Sequence, residues 1–305
     1  MCAASVSKGF ARKEAIKRAV YYAACALARA SLAHRIRRLS EVRNSLRMLM
    51  YHKVNDQVGN SLSVPPARFE QQMEYLHRRY TLIDLDTLLR HFETGRPLPP
   101  RAVLLTFDDG YLDVYENAVD VLKRYGVRPV MFIATNFMDG VTPFPHDRKF
   151  TAYRNPPLSW PRVRELTEVF EIASHGRSHR PLTRIPWAEA RDEIVDSKRL
   201  IEDEIGRPVR AFSYPHGRAP DFNNDLRAAV IAAGYRACFT TIPRTSRPPN
   251  DRFSLCRYNV EPYGSFYFRG LLDGSCDLVG LAASPWAESW KRSVVAAMGG
   301  ETDRW

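Results

Sequence analysis

The sequence predicts an α/β fold on a parallel sheet, arranged either as a barrel or as an open sheet. Short apolar runs rich in β-branched residues alternate with segments of helical periodicity along the chain. Several of these runs end in acidic residues or histidines, and the carboxyl ends of parallel strands are where α/β folds place their chemistry. At 305 residues, the chain is long enough to bury a full core.

The clearest strand, Ala102–Phe107, is followed directly by Asp108 and Asp109 and then by a glycine. Successive strand side chains point in opposite directions, so we expect the two carboxylates to do different jobs. One would bind a metal and the other would accept a proton. A solvated turn is the alternative interpretation. Asp113 and Glu116 have the spacing of a capping box, which predicts that a helix begins there.

The same patterns predict the remaining elements. Helices are expected at 8–40, 68–79, 86–92, 114–124, 161–170, 186–206 and 222–234, and strands at 47–54, 81–84, 128–133, 170–173, 209–213, 235–240 and 257–260. Residues 136–160 interrupt this alternation with several prolines, and we interpret this loop as a lid or a substrate wall. Residues 276–305 are interpreted as a peripheral C-terminal tail.

The net charge of +11 is concentrated near the N-terminus. Residues 1–50 carry 11 lysines and arginines against two acids, whereas the rest of the chain has a net charge of +2. This near-neutral body argues against a nucleic-acid groove. We interpret residues 1–45 as a basic amphipathic helical arm that lies on an anionic membrane surface. A helix packed on the domain is the alternative, and the stretch also resembles a signal peptide.

Five cysteines occur without any Cys-x-x-Cys pair, which argues against a disulfide framework and a zinc knuckle. Reduced thiols in a cytoplasmic protein are the simplest interpretation. Together with the basic arm, this predicts a cytoplasmic protein at the inner membrane face, with an exported form as the alternative.

A second polar cluster, His175-x-x-x-His179, follows the strand predicted at 170–173. Imidazoles four residues apart can bind one metal together, although surface pairs with this spacing also arise by chance. With a carboxylate from the earlier strand end, they form a set of two histidines and one carboxylate. Such a set leaves positions open for water and substrate, which is typical of a catalytic site.

A third cluster, Tyr214-Pro-His-Gly217, predicts a tight turn at another strand end. Its backbone amides are expected to point into the same mouth of the fold. We expect substrate contacts from four residues, namely Tyr111, Tyr214, Pro215 and Gly217.

Five motifs, at 48–54, 105–111, 158–160, 171–179 and 214–217, occur in an order that resembles the polysaccharide deacetylases. These are the NodB-homology domains of carbohydrate esterase family four, and the resemblance covers about residues 46–260. It implies a distorted (β/α) barrel, placed here at 46–275, and one divalent metal ion, usually zinc. It also implies removal of an N-acetyl group from a hexosamine unit in a polysaccharide or a lipid-linked saccharide.

The resemblance implies a role for each matching residue. Asp109, His175 and His179 resemble the metal ligands of the family. Asp108 resembles the base that deprotonates the attacking water. The backbone N–H near His216 resembles the donor that stabilises the oxyanion.

The sequence departs from the family at two points. Many members supply the general acid from a Leu-x-His motif, but no histidine follows His216 in these 305 residues. His216 and His52, both at predicted strand ends, are the candidate acids. The family arginine that orients the base is replaced by Ser213, and Arg257 is the candidate substitute.

Three functions fit these residues. The leading hypothesis is a metal-dependent carbohydrate N-deacetylase. An O-deacetylase or deformylase on the same scaffold is a second hydrolytic hypothesis. A catalytically silent saccharide-binding protein is the third, although the retained Asp108 argues against it because sugar binding needs no free base.

Overall fold

In the computed structural model, which describes residues 2–31, 46–57, 60–147, 155–245 and 251–277, parallel strands alternate with helices as predicted. The described strands are β1 (Arg47–Tyr51), β2 (Thr81–Ile83), β3 (Ala102–Asp109), β4 (Val130–Ile133), β5 (Glu171–Ser174), β6 (Ala211–Ser213), β7 (Ala237–Phe239) and β8 (Tyr258–Asn259). The described α-helices are α1 (Cys2–Ala30), α2 (Pro66–Arg79), α3 (Leu85–Thr94), α4 (Leu112–Asn117), α5 (Val119–Arg124), α6 (Trp160–Leu166), α7 (Trp187–Ile205), α8 (Asn224–Ala232) and α9 (Ser265–Asp273).

Strand β3 lies in the middle of one parallel sheet with the order β7-β6-β5-β4-β3-β1-β8. Its first half pairs with β2 and its second half with β4, both along the same edge, while β1 pairs along the other edge. All eight residues of β3 are buried, as expected for a parallel strand covered on both faces. The predicted central strand is therefore confirmed, and it extends through both aspartates.

The sheet curls into the distorted barrel that the resemblance implied. A bridge between Phe239 and Leu255 brings the segment before β8 against β7, and β8 also pairs with β1. Small side chains at Ala173 and Ala211 belong to the same inner cluster as the ring of Phe132. The interior is thus a packed core, and only its carboxyl end is open to polar residues.

The predicted capping box is wrong. Helix α4 begins at Leu112, and Tyr111 precedes it without a capping side-chain hydrogen bond. Asp113 instead accepts hydrogen bonds from the backbone N–H of Val54 at 3.1 Å and from Nδ2 of Asn55 at 2.5 Å. Its carboxylate is used to fasten the loop after β1, a long-range contact that sequence spacing does not encode.

The N-terminal arm is a helix as predicted, and the described part of it packs on α9. Tyr21 stacks edge-on against Tyr267, and Arg29 forms an ion pair with Asp273 at 2.9 Å. None of the described helices is both long enough and apolar enough to cross a membrane. Residues 32–45 lie outside the described residues.

The predicted start of the tail falls within packed structure. Cys276 is fully buried, and Asp277 pairs with Arg47 of β1 at 2.9 Å. The described end of the chain therefore belongs to the domain. The rest of the predicted tail, 278–305, lies outside the described residues.

Candidate active site and metal centre

The two adjacent aspartates occupy the carboxyl end of β3 and face different partners. Asp109 has a φ of +75°, a left-handed conformation that is strained for a residue with a Cβ. Gly110 follows at φ +85°, and a Cβ there would lie 2.9 Å from Cγ2 of Ile133. This turn directs the Asp109 carboxylate towards the two histidines in the loop after β5. Asp108 keeps the alternating side-chain direction of the strand.

The histidines predicted to bind metal do meet Asp109. Oδ1 of Asp109 lies 3.2 Å from Nε2 of His179 and 3.6 Å from Nε2 of His175. One ligand atom from each residue lies within 4.8 Å of the other two. Thus three residues from two distant loops form a cluster small enough to share one ion.

The cluster fits a divalent metal. Asp109 Oδ1 is buried and accepts no hydrogen bond from the described residues, which leaves a carboxylate oxygen free to act as a ligand. Nδ1 of His175 donates to the backbone carbonyl of Ser213 at 2.8 Å, so the lone pair of Nε2 faces the cluster. Burial lowers the pKa of His175 to about 4, which keeps the ring in its neutral, metal-binding form.

Asp108 is held by a different partner, Arg257. The guanidinium donates to both carboxylate oxygens, at 2.6 and 2.7 Å, a bidentate geometry. It also donates to Ser213 at 2.7 Å and to Thr106 at 3.0 Å. Burial is the largest single effect and acts to raise the pKa of Asp108. The charge and hydrogen bonds of Arg257, together with the nearby imidazoles of His175 and His52, outweigh it, and the pKa is lowered. Asp108 therefore stays ionised although it is buried.

Arg257 fills the position that the resemblance left without an arginine. It is fully buried inside the barrel, 5.2 Å above the ring of Phe132, and arrives from the segment just before β8. Ser213, which stands where the family arginine is expected, hydrogen bonds to this guanidinium. The predicted contact between Arg257 and Asp108 is thus present.

A cavity of about 240 Å³ lies above the cluster. Its described lining includes every predicted catalytic or metal-binding histidine and carboxylate, namely His52, Asp108, Asp109, His175, His179 and His216, together with Asn60, Ser61, Leu62, His146 and Thr241. The volume is that of a small pocket, sufficient for part of a sugar unit. The predicted metal ligands, the predicted base and both candidate acids therefore line one cavity.

The two candidate acids both line this cavity. His52 follows β1 and is half-buried, and its Nδ1 is buried without a hydrogen-bond partner among the described residues. His216 is exposed, has a φ of +63°, and its ring lies 5.0 Å from that of His179. Loss of solvation around the ring lowers the pKa of both, and the neighbouring His179 contributes to lowering that of His216 to about 4. In the resting site both rings are therefore neutral at pH 7, and either must gain a proton before it can act as a general acid.

The four residues predicted to contact substrate are buried and are not among the described residues that line the cavity. Tyr111 and Tyr214 are fully buried, and Pro215 and Gly217 are buried as well. A Cβ at Gly217 would lie 2.8 Å from the backbone nitrogen of Thr241, so this turn needs a glycine. The direct contact of these four residues with a sugar stays a prediction.

The sequence analysis missed His146, which belongs to the interrupted loop. Nε2 of His146 lies 2.7 Å from the Tyr111 hydroxyl and 3.6 Å from Oδ2 of Asp109. The next residue, Asp147, accepts from the same hydroxyl at 2.7 Å and pairs with buried Lys53 at 2.5 Å. The sequence signal that could have identified His146 is its pairing with the adjacent Asp147, in the loop that we interpreted as a lid or a substrate wall. Residues 148–154 of this loop lie outside the described residues.

The chain is similar to several known proteins. Residues 95–238 match the polysaccharide deacetylase family. The chain is 32% identical over 220 residues to YxkH of Bacillus subtilis (strain 168), whose name places it among polysaccharide deacetylases; the match covers 71% of this chain and 72% of YxkH. It is 25% identical over 249 residues to the poly-β-1,6-N-acetyl-D-glucosamine N-deacetylase of Staphylococcus epidermidis, covering 73% and 82% of the two chains.

Solved structures share the fold. The Streptococcus pyogenes deacetylase PplD superposes with a TM-score of 0.64 at 22% identity, covering 73% of this chain and 96% of PplD. IcaB from Ammonifex degensii gives a TM-score of 0.63 at 20% identity, covering 76% and 96%.

Proposed function

The chain belongs to the polysaccharide deacetylase family, and we propose that it is a metal-dependent N-deacetylase of N-acetylglucosamine units in a polysaccharide. One observation carries the proposal. A buried, ionised carboxylate held by an arginine stands beside a separate three-residue ligand cluster, in a single cavity. A binding protein needs no such second carboxylate, whereas amide hydrolysis does, because water is a poor nucleophile at an amide carbonyl.

Asp109, His175 and His179 would hold one divalent cation, and their mixed nitrogen and oxygen donors suit zinc. Such an ion supplies Lewis acidity, which polarises the amide carbonyl and makes a water molecule easier to deprotonate. The hydrogen bond from His175 to Ser213 fixes the ring orientation before any ion arrives.

Asp108 is the proposed base. Arg257 keeps its carboxylate ionised and in one orientation, so that it can accept the proton of the attacking water. The N–H of Gly217 already donates to the carbonyl of Pro215 at 2.8 Å, and Tyr214 donates its N–H to Phe239. Within this turn the N–H of His216 is therefore the one that would stabilise the oxyanion.

The leaving amine takes its proton from His52 or His216, the two candidate acids among the imidazoles that line the cavity. Replacing His52 and His216 in turn by asparagine shows which of the two is the acid. Loss of the acid should lower kcat about 10²-fold or more, and loss of the other imidazole should leave kcat within a few-fold of the parent.

The names of the curated relatives support poly-β-1,6-N-acetyl-D-glucosamine as the first polymer to test.

The proposal is tested by acetate release from β-1,6-linked N-acetylglucosamine oligomers, with and without a chelator, alongside metal analysis of the purified protein. We expect activity to disappear with the chelator and in Asp109→Ala, and the Asp109→Ala protein to lose its metal. Activity unchanged by both treatments contradicts the metal site. Acetate released only from O-acetylated sugars favours the O-deacetylase, and bound oligomer without turnover favours a silent binding protein.

We also propose that α1 binds an anionic membrane surface through its outward face. Ile16, Val20 and Leu27 are 55%, 53% and 70% exposed and lie on one stripe of the helix, opposite the face that packs on α9. The surrounding arm is strongly basic, and a basic helix with an exposed apolar stripe is typical of interfacial binding.

Co-sedimentation with phosphatidylglycerol and phosphatidylcholine vesicles tests this second proposal. We expect binding to the anionic vesicles and its loss in Leu27→Glu. Ile231→Glu, a change at an equally apolar but distant surface residue that is 41% exposed, should leave binding intact. Equal binding by the parent and Leu27→Glu contradicts the proposal.

A further inference from the structure

Helix α1 is attached to α9 over a short, well-defined contact. Tyr21 lies edge-on to Tyr267 with ring centroids 5.1 Å apart, and Tyr22 stacks on Phe266 at 5.5 Å. Arg29 closes the end of the contact through its bond to the buried Asp273. The two ends of the described part of the chain therefore meet here, at a contact whose residues are not among the described lining of the cavity.

Two cysteines lie side by side within this contact. Sγ of Cys25 on α1 is 2.8 Å from Sγ of Cys276, the second residue after α9's terminal glycine. This separation is within about 1 Å of the S–S bond length of about 2.05 Å. Both side chains are fully buried although the residues are 251 positions apart in the chain. Such proximity between distant thiols needs the whole domain to be folded.

The backbone of α9 makes room for the pair. A Cβ at Gly270 would lie 2.5 Å from the sulfur of Cys25 and 2.9 Å from that of Cys276. Any other residue at this position would push the sulfurs apart, so the glycine provides a notch in which both sulfurs fit.

We propose that Cys25 and Cys276 form an intramolecular disulfide that fastens α1 to the catalytic domain when the chain meets a disulfide oxidant. One S–S bond forms between the two residues and two S–H bonds break. The two electrons and two protons reduce the oxidant's disulfide, such as that of oxidised glutathione or of a thiol oxidoreductase, to two thiols. In a reducing compartment the same residues remain a pair of buried thiols.

The surroundings indicate which sulfur attacks first. A hydrogen bond from Cys276 lowers the pKa of Cys25 against the opposing effect of burial, and the nearby charge of Arg29 acts in the same direction. Cys25 is thus the better nucleophile towards an external disulfide. Because both sulfurs are buried once α1 is docked, the oxidant reacts during folding or while α1 is transiently lifted from α9.

The test is a thiol count on the full chain. Protein purified in reductant is incubated with oxidised glutathione and then denatured and alkylated. Mass spectrometry gives the number of alkylated cysteines. We expect the number of alkylated cysteines to fall from five to three. Tryptic digestion without reductant should then link the peptide of residues 19–29 to that of residues 270–291.

Two variants make the test specific. Cys25→Ser should keep four alkylated cysteines before and after oxidation, whereas Cys256→Ser should fall from four to two because its buried thiol lies elsewhere. Oxidation of the parent should also slow tryptic cleavage within α1, and Cys25→Ser should not show this protection. Five alkylated cysteines after oxidation, or a cross-link between any other pair, overturns the proposal.

Discussion

The barrel mouth and the contact between α1 and α9 are both buried, but they are held in different ways. At the mouth, one guanidinium bonds to four different residues, and Asp109, His179 and His216 all have positive φ angles. The α1 contact instead consists of aromatic ring pairs and an ion pair on regular helices. Strained backbone and a shared hydrogen-bond network fix atoms in place, whereas docking a helix needs only matching surfaces.

This difference has a consequence for mutation. A change at the mouth should affect catalysis through small displacements or altered charge. A change at the α1 contact should affect stability and leave catalysis intact, because none of its described residues lines the cavity.

The largest effect is expected for Asp108→Asn, which removes the proposed base but keeps the shape of the side chain. We expect kcat to fall by roughly 10²–10⁴-fold, the usual contribution of a general base. Steady-state acetate release measures this, and circular dichroism checks the fold. Asp120→Asn, at an exposed acid on α5, is the matched control. Comparable kcat values for parent and Asp108→Asn contradict the assignment.

Arg257→Met tests whether the guanidinium controls the base. Without its charge, burial dominates and the pKa of Asp108 rises, so the ionised base is present only at higher pH. We therefore expect the acid limb of the kcat/KM profile to move to higher pH, and the free energy of unfolding to fall by about 3–5 kcal/mol.

Arg257→Lys keeps the positive charge and should leave the acid limb near its original position. Denaturant titration measures the stability of both variants, and the pH profile is recorded where both are folded. An unshifted profile in Arg257→Met shows that Asp108 is not the titrating base.

A smaller effect is expected for His146→Ala. Nε2 of His146 lies 3.6 Å from Oδ2 of Asp109, so we expect it to support this predicted metal ligand from outside the cluster. Loss of such support typically lowers metal affinity or activity by about 10–100-fold. Competition with a chromogenic chelator measures the affinity, and His77→Ala on exposed α2 surface is the control. Unchanged affinity and activity would mean that His146 only fills space.

The smallest effect is expected for Tyr21→Ala at the α1 contact. Loss of its ring pairs should lower the free energy of unfolding by about 0.5–1.5 kcal/mol beyond the lost burial, with kcat unchanged. Thermal unfolding and acetate release measure the two quantities. Leu27→Ala, on the exposed face of the same helix, should change neither. A fall in kcat would show that α1 communicates with the barrel mouth.

The sequence by itself determined the alternation of strands and helices, the central strand, and the separate roles open to Asp108 and Asp109. These follow from local periodicity, because burial repeats every two residues in a strand and every 3.6 in a helix. It also indicated the metal ligands, since strand ends of a parallel sheet meet at one edge whatever their distance in the chain.

Only the tertiary structure decided which distant side chains complete the site. Arg257 reaches Asp108 across 149 positions, and His146 approaches Asp109 from a short 3-10 helix within the interrupted loop. Asp113, predicted to cap a helix, bonds instead to the loop after β1. Periodicity specifies which face of an element is buried but not which other element covers it, and that depends on how the sheet closes.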